Sequence, residues 1–315
     1  METNNTSSAI LRPTDSILHI NKEEGYFWCS LFILEAIIIV VLNMFTIIVF
    51  TKDRHVRKRS TYLLINLSAA DIGVGGLVIP TAVFRRGNTY ALWNVEMTPA
   101  LLFSTYGVDT LFFGCSLIFL VSISVERLYA TRSPMRHRSM TGLTYKICMS
   151  CVWVASFIYT TVVLFLFYDI IGLQIWYIVA SCVFVSLLIL TLSYCAIFVT
   201  VRCGEQPQHA YRGQARKERR LTMTLFIVTV VSLSVWIPYV LFTFLESHLS
   251  QTFSKDTVLR MRSVSEALFF ANSFINPILY TIRMPQFRNA SINLITCAGN
   301  SRGGQTASLS RDTVL

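Results

Sequence analysis

Charge is scarce in this chain. Asp, Glu, Lys and Arg make up 14% of its 315 residues while 53% are hydrophobic, a balance that excludes an ordinary water-soluble domain. The first 25 residues are polar and lack the apolar core of a secretory leader, so the first long apolar run is expected to act as its own insertion signal. Eight cysteines do not make a disulfide framework. Cys115, Cys148, Cys151, Cys182 and Cys195 lie inside apolar runs, where small soft side chains pack well. Cys203 and Cys297 fall on the side assigned below to the reducing cytoplasm, and Cys29 stands alone. No two halves repeat, which argues against an inverted-repeat transporter. The connections are too short for a second folded domain.

What fills the chain instead is seven apolar runs: Tyr26–Phe50, Tyr62–Phe84, Ala100–Tyr129, Lys146–Phe167, Ile171–Val201, Leu221–Leu245 and Ser263–Ile282. A helix needs about 20 apolar residues to cross a hydrocarbon core of about 30 Å, and lipid leaves the backbone no other partners. The expected fold is all-α: a seven-transmembrane helix bundle over 26–283, preceded by an extracellular tail over 1–25. Met284-Pro285 then breaks the last span, and 284–297 reads as a short amphipathic eighth helix on the inner leaflet. The Ser/Gly/Thr/Arg-rich remainder, 298–315, reads as a disordered cytoplasmic tail.

The net charge of +10 does not point to nucleic acid, because the cations lie between spans and not on one soluble face. Lys52, Arg54, Arg57, Lys58 and Arg59 follow the first span, Arg132, Arg136 and Arg138 the third, and Arg212, Arg216, Lys217, Arg219 and Arg220 precede the sixth. The positive-inside rule assigns these loops to the cytoplasm, with the amino terminus outside and the carboxyl terminus inside. Arg85, Arg86, Lys255, Arg260 and Arg262 are then outer-loop cations. Overlapping glycosylation sequons at Asn4 and Asn5 fall on the outer side; the sequon at Asn289 falls inside and is disregarded. Cys297 is a palmitoylation candidate or a free thiol. Thr313-Val314-Leu315 fits the carboxyl-terminal ligand of a PDZ domain.

The polar residues within the spans are few and deep, and such groups usually mark pathways, switches or ligand sites. Asp71 is a carboxylate near mid-membrane that cannot stay unpartnered without large cost. Arg127 ends a long apolar helix and can be held by its neighbour Glu126 or by Glu218 at the inner end of the sixth span. The second pairing would clamp two helix ends, and Tyr194 and Tyr280 can capture Arg127 once it opens. Pro238 removes a backbone hydrogen bond and kinks the sixth span. Asp109 lies five helical turns, roughly 27 Å, outward from Arg127. Glu35 and Glu266 add two acids to the outer half. For Glu266 two arrangements stand: an i,i+4 pair with Arg262, or a position facing Asp109.

Taken in order, Asn43, Asn66-Leu67-Ser68-Ala69-Ala70-Asp71, Glu126-Arg127-Leu128, Trp153, Tyr194, Val235-Trp236-Ile237-Pro238 and Asn276-Pro277-Ile278-Leu279-Tyr280 place one polar signature in each span. The set resembles the rhodopsin-like (class A) G-protein-coupled receptors over all seven spans. That resemblance implies a plasma-membrane receptor without enzymatic activity that activates heterotrimeric G proteins. It implies arrestin, a PDZ-domain protein and membrane lipid as further partners, and no cofactor beyond an allosteric sodium ion held by Asp71, Ser116, Asn272 and Asn276. It puts Asp109 where amine receptors pair with a ligand ammonium, so a biogenic or trace amine is the expected ligand. Phe113, Trp236, Phe270 and Glu266 would complete the ligand site, with Trp236 as its floor. The activation switch would comprise Glu126, Arg127, Tyr194, Glu218, Trp236, Pro238, Asn276, Pro277 and Tyr280.

The chain also departs from the family pattern. Leu102 stands near the usual outer cysteine of span three, Ser186 replaces the span-five proline, and Ser232 stands where span six usually has phenylalanine. The short outer loop between spans four and five, the absent bridge and the absent proline are similar to the melanocortin, cannabinoid and adenosine-related branch, and Asp71-Ile72-Gly73-Val74-Gly75 is similar to adenosine receptors. Tyr106 and Leu102 replace the melanocortin acids, and Phe270 replaces the retinal-linking lysine, which excludes a light receptor. A peptide, nucleoside or lipid receptor of the same fold remains open, as does a transporter or channel.

Overall fold

The computed structural model describes residues 22–53, 56, 61–169, 174–203 and 212–296. Asn4, Asn5, Cys297 and the Thr313-Val314-Leu315 motif lie outside the described residues, and so does the side chain of Glu218. Within them the chain is helical: α1 (Lys22–Lys52), α2 (Thr61–Gly73), α3 (Ile79–Thr89), α4 (Pro99–Arg132), α5 (Pro134–Ser139), α6 (Gly142–Asp169), α7 (Gln174–Cys203), α8 (Arg212–Thr252) and α9 (Lys255–Arg283). A last helix, α10, covers 285–296. With α2 and α3 forming one span, α1, α2/α3, α4, α6, α7, α8 and α9 make seven, arranged as a bundle.

The helices run past the apolar segments that announce them. Helix α8 has 41 residues, about 60 Å at 1.5 Å per residue, although its apolar stretch is far shorter. An apolar run reports hydrocarbon thickness, whereas the i→i−4 ladder continues into water until a capping signal stops it. Thr98 and Pro99 provide such a signal for α4, where the Thr98 hydroxyl accepts from the Leu101 amide at 3.3 Å. Ser254 does the same for α9, accepting from the Thr257 amide at 3.3 Å. The Asp256, Arg260 and Arg262 side chains therefore project from helix and not from a loop.

The second span is not one continuous α-helix. Val74–Val78 is π-helical and stands directly before Pro80, which has no N–H to return to the Gly76 carbonyl. One π turn inserts a residue and rotates all that follows by about 100°. The rotation brings Thr81, Arg85 and Arg86 of α3 to face the bundle interior. Gly75 sits inside the π segment, and a Cβ there would lie 3.0 Å from the Ala36 carbonyl oxygen of α1. A bare backbone is what allows this close approach, the usual device of helix packing in lipid.

Helix α4 runs through the middle, touching α2, α5, α6, α7 and α8. Phe32, Ile39, Phe50, Leu67, Val74 and Phe119 are fully buried in the core. The outward belt is equally apolar, with Ile37, Val41, Phe157, Phe165, Phe184 and Leu192 exposed. Apolar residues on both the inside and the outside characterise a bundle solvated by lipid. Helix α10 buries Phe287 against Phe50 (ring centroids 4.9 Å) and Tyr280 (6.2 Å), while Ile292 and Ile295 remain exposed. That division gives it one face for the bundle and one for the membrane surface.

At the end of α3, Trp93 folds back so that its indole N–H donates to the Phe84 carbonyl at 2.9 Å. Its ring stacks on Phe84 and lies where a Cβ on Gly87 would fall, 2.0 Å from the nearest ring atom. Gly87→Ala gains about 1 kcal/mol of helix propensity and loses about 1–3 kcal/mol to overpacking. The expected result is a lower Tm of the detergent-solubilised protein, with tryptophan fluorescence shifted towards that of exposed indole. An unchanged or raised Tm would show that Trp93 can move at no cost.

Candidate functional site

A cavity of about 410 Å³ opens among α3, α4, α6, α7, α8 and α9. Asp109 and Phe113 project into it from α4, one turn apart, and Trp236 and Tyr239 from α8. From α9 the wall residues are Glu266 and Phe269. Phe269 sits at the junction of the aromatic cluster, with ring centroids 4.3 Å from Phe113, 4.3 Å from Tyr239 and 5.2 Å from Trp236. Phe270, expected in the ligand wall, is instead buried against Phe32 of α1 and stacked behind Phe113. Consecutive helical residues point about 100° apart, so the one-residue difference turns Phe270 from the cavity to the α1 interface.

Asp109 is not bare. Its Oδ2 accepts from Arg85 Nη2 at 2.5 Å and its Oδ1 from the Thr81 hydroxyl at 3.1 Å. The Arg85 guanidinium lies over the Tyr106 ring, 5.1 Å from its centroid, in cation–π range. Arg86, 5% exposed, donates to Glu266 Oε2. Arg262 binds Glu246 of α8 at 2.6 and 2.9 Å. The hydrogen-bonded partner of Glu266 is Arg86 and not Arg262, which lies one turn before it and turns to Glu246 of α8, while Glu266 and Asp109 face the same cavity. Glu35 of α1 does not line this cavity, and its Oε2 has no hydrogen-bond partner among the described residues. Arg85, Arg86 and Glu246 were missed as site residues. The two arginines directly follow an apolar run and read as loop; the one sequence signal for them was the need of Asp109 for a counter-charge.

Below the cavity lies a polar knot. Asp71 is fully buried, accepting from Ser116 Oγ at 3.0 Å and Asn276 Nδ2 at 3.2 Å. The Ser273 side chain bonds the same carboxylate. Asn272, expected in this group, makes no bond to Asp71, and its Oδ1 has no partner among the described residues; Ser273 stands in its place. Pro277 inside α9 cannot donate to the Ser273 carbonyl four residues back. Asn43 of α1 supplies the missing donor through Nδ2 at 2.9 Å. Nearby, Trp153 of α6 donates to Asn66 Oδ1 at 3.1 Å.

At the far end of α4, Arg127 is 2% exposed and its Nε and Nη2 clasp Glu126, the latter at 2.6 Å. Two further residues hold the same carboxylate. His137 of α5 meets Glu126 Oε1 at 2.6 Å, and the Tyr145 hydroxyl of α6 donates to it at 2.9 Å. The acid thus ties α4, α5 and α6 together, a role for His137 and Tyr145 that no spacing in the sequence marks. Tyr194 is buried with its ring edge-on to Phe226 of α8, and Tyr280 is fixed between Phe50 and Phe287. Pro238 lies inside α8, two residues past Trp236.

The family described as "7 transmembrane receptor (rhodopsin family)" matches residues 42–170 and 169–280. Trace amine-associated receptor 365 of Petromyzon marinus is 26% identical over 289 residues, covering 82% of this chain and 76% of the relative. Adenosine receptor A2b of Gallus gallus is 24% identical over 278 residues, 74% of this chain and 77% of the relative. Neuropeptides B/W receptor type 2 of Homo sapiens is 26% identical over 286 residues, 81% of each chain. With most of its length matched span by span, the chain belongs to the rhodopsin family of seven-transmembrane receptors: a multi-pass membrane protein that signals through heterotrimeric G proteins, and not an enzyme.

Proposed function

We propose that this receptor lies in the plasma membrane with its amino terminus outside and binds a small extracellular ligand through an ammonium group on Asp109. Relatives named for trace amines, adenosine and neuropeptides stand at similar identity, so likeness alone does not select a ligand. The observation that carries the reading is Asp109 in the wall of the cavity, with Trp236 on the same cavity from the sixth span, two residues before Pro238. The ammonium replaces one partner of Asp109 while the apolar part of the ligand rests on Phe113 and Trp236. Pressure on Trp236 is passed to the helix beside Pro238, which lacks one backbone bond and bends there. Outward swing of the inner half of α8 then exposes Arg127 to the G protein. By linkage, the G protein tightens agonist binding by the factor with which agonist tightens G-protein binding.

The oxygen-rich surroundings of Asp71 fit a monovalent cation. Ser116, Ser273 and Asn276 bond the carboxylate, and the amide oxygens of Asn272 and Asn276 lack partners among the described residues. These residues would hold sodium, which would supply a counter-charge to Asp71 in the resting state. Glycans at Asn4 and Asn5, a lipid on Cys297, arrestin and a PDZ-domain protein at Thr313-Val314-Leu315 complete the proposal as accessories.

Two measurements test this reading. A charge-assisted hydrogen bond contributes about 1.5–3 kcal/mol, so Asp109→Asn should weaken a cationic agonist by at least about tenfold at unchanged surface expression. Equal potency in the variant rules out the ammonium contact. The Glu126 lock is the resting restraint on Arg127, so Tyr145→Phe and His137→Ala should each raise agonist-free nucleotide exchange by severalfold, and the double variant further. Basal exchange at the parent level in both would show that the lock does not hold the resting state.

A further inference from the structure

The cavity wall carries three guanidinium groups and three carboxylates: Arg85 with Asp109, Arg86 with Glu266, and Arg262 with Glu246. Its formal charge is therefore balanced before any ligand arrives, and each acid is already partnered. A simple amine that takes Asp109 must displace Arg85, whose side chain is 20% exposed, and leave a guanidinium without its counter-ion. Leaving that charge uncompensated in a largely enclosed cavity costs binding energy that the new charged hydrogen bond has to make good. A ligand with charges of both signs avoids that loss. It opens one ion pair and closes two, and the cavity stays neutral.

Resting on the ammonium reading above, we infer that the ligand is a zwitterion of α-amino-acid size, with its ammonium on Asp109 and its carboxylate on Arg85. Arg85 has the free donors for this task. Its Nη2 is committed to Asp109, while Nη1 has only a 3.4 Å contact with the Thr81 hydroxyl. A planar guanidinium with an open edge is the group that grips a carboxylate in two-point fashion. The other two arginines are spoken for. Arg86 is 5% exposed and bound to Glu266, and Arg262 spans to α8 through two contacts with Glu246. Arg85 and Asp109 touch at 2.5 Å, so a ligand that separates them needs its own two charges close together, as they are across one α-carbon. Tyr106, Phe113 and Trp236 surround the remaining space and suit an apolar or aromatic side chain. The volume of about 410 Å³ lies near the small end of ligand pockets, roughly 300–1,000 Å³.

The test uses the full-length receptor in membranes with G protein, reading nucleotide exchange. Each of the proteinogenic amino acids is applied beside its decarboxylated amine and its methyl ester, which keep the cation and lose the anion. At least one amino acid should drive exchange, with its amine and ester weaker by at least about tenfold, or 1.4 kcal/mol. Arg85→Gln should abolish that preference by weakening the acid and strengthening the amine, because Asp109 is then released from its pair. Arg85→Lys should preserve part of the preference, which separates loss of charge from loss of fold. The inference is overturned if no amino acid acts, if an amine or ester equals its parent acid, or if Arg85→Gln leaves the acid-to-amine ratio unchanged. An amine that acts alone and depends on Asp109 would uphold the ammonium contact while removing the zwitterion; amino acids and amines indifferent to Asp109→Asn would remove both.

Discussion

The arrangement of this bundle depends on one carbonyl. Pro277 has no N–H, so the Ser273 carbonyl of α9 is left without its helical donor in a region where lipid offers none. An unsatisfied peptide group in hydrocarbon costs several kcal/mol. Asn43 removes that cost by donating from α1 at 2.9 Å. The bond fixes the first span against the seventh at a set height, and the neighbouring residues on α9 then fall into place around Asp71. Ser273 and Asn276 bond the carboxylate from one side and Ser116 of α4 from the other. Four spans are thereby joined at one depth. The same missing hydrogen bond makes α9 locally easier to bend, so the strongest polar tie and the most compliant turn coincide.

From that knot the structure is polar downward and aromatic upward. Towards Arg127 one carboxylate, Glu126, is shared by an arginine, a histidine and a tyrosine from three helices. Towards the cavity the link is Phe269, whose ring touches residues of α4 and α8 at once. Aromatic contacts are short-ranged and sensitive to ring position, so a ligand-induced shift of Trp236 is felt across the cluster. Charged hydrogen bonds release all at once when a partner leaves. A ligand that shifts populations requires an element with two discrete arrangements, and the proposed switch would join these two kinds of contact through the proline-bearing helix α8.

Much of the fold was legible because lipid permits few solutions: long apolar runs must be helices, and seven of them must close into a bundle. The deep polar residues were legible for the same reason, since Asp71, Arg127 and Asn276 would be costly anywhere but in a partnered interior. What escaped was set by rotation about helix axes. Phe269 and Phe270, or Asn272 and Ser273, are equivalent by composition and differ by about 100° of azimuth. The continuation of α3 to Thr89 put Arg85 and Arg86 on helix and not in a loop, and the π turn at Val74–Val78 that sets their azimuth was hinted at only by Gly75, Gly76 and Pro80. The charged start of α9 read as loop because hydropathy ends where lipid ends, not where hydrogen bonding does.

The three ion pairs of the cavity also connect helices. Arg85–Asp109 joins α3 to α4, Arg86–Glu266 joins α3 to α9, and Arg262–Glu246 joins α9 to α8. They form a chain of charge from α4 round to α8, the span that carries Pro238. A ligand that opens the first pair relieves α3 of its tie to α4 while leaving its tie to α9, so the balance of forces around the ring changes and not merely one contact. A purely apolar cavity of the same volume would bind by shape and have no such means of redistributing load. Six charged side chains among lipid-solvated helices are costly unless paired, and these three pairs put the charge of the cavity and the positions of four helices into one electrostatic balance.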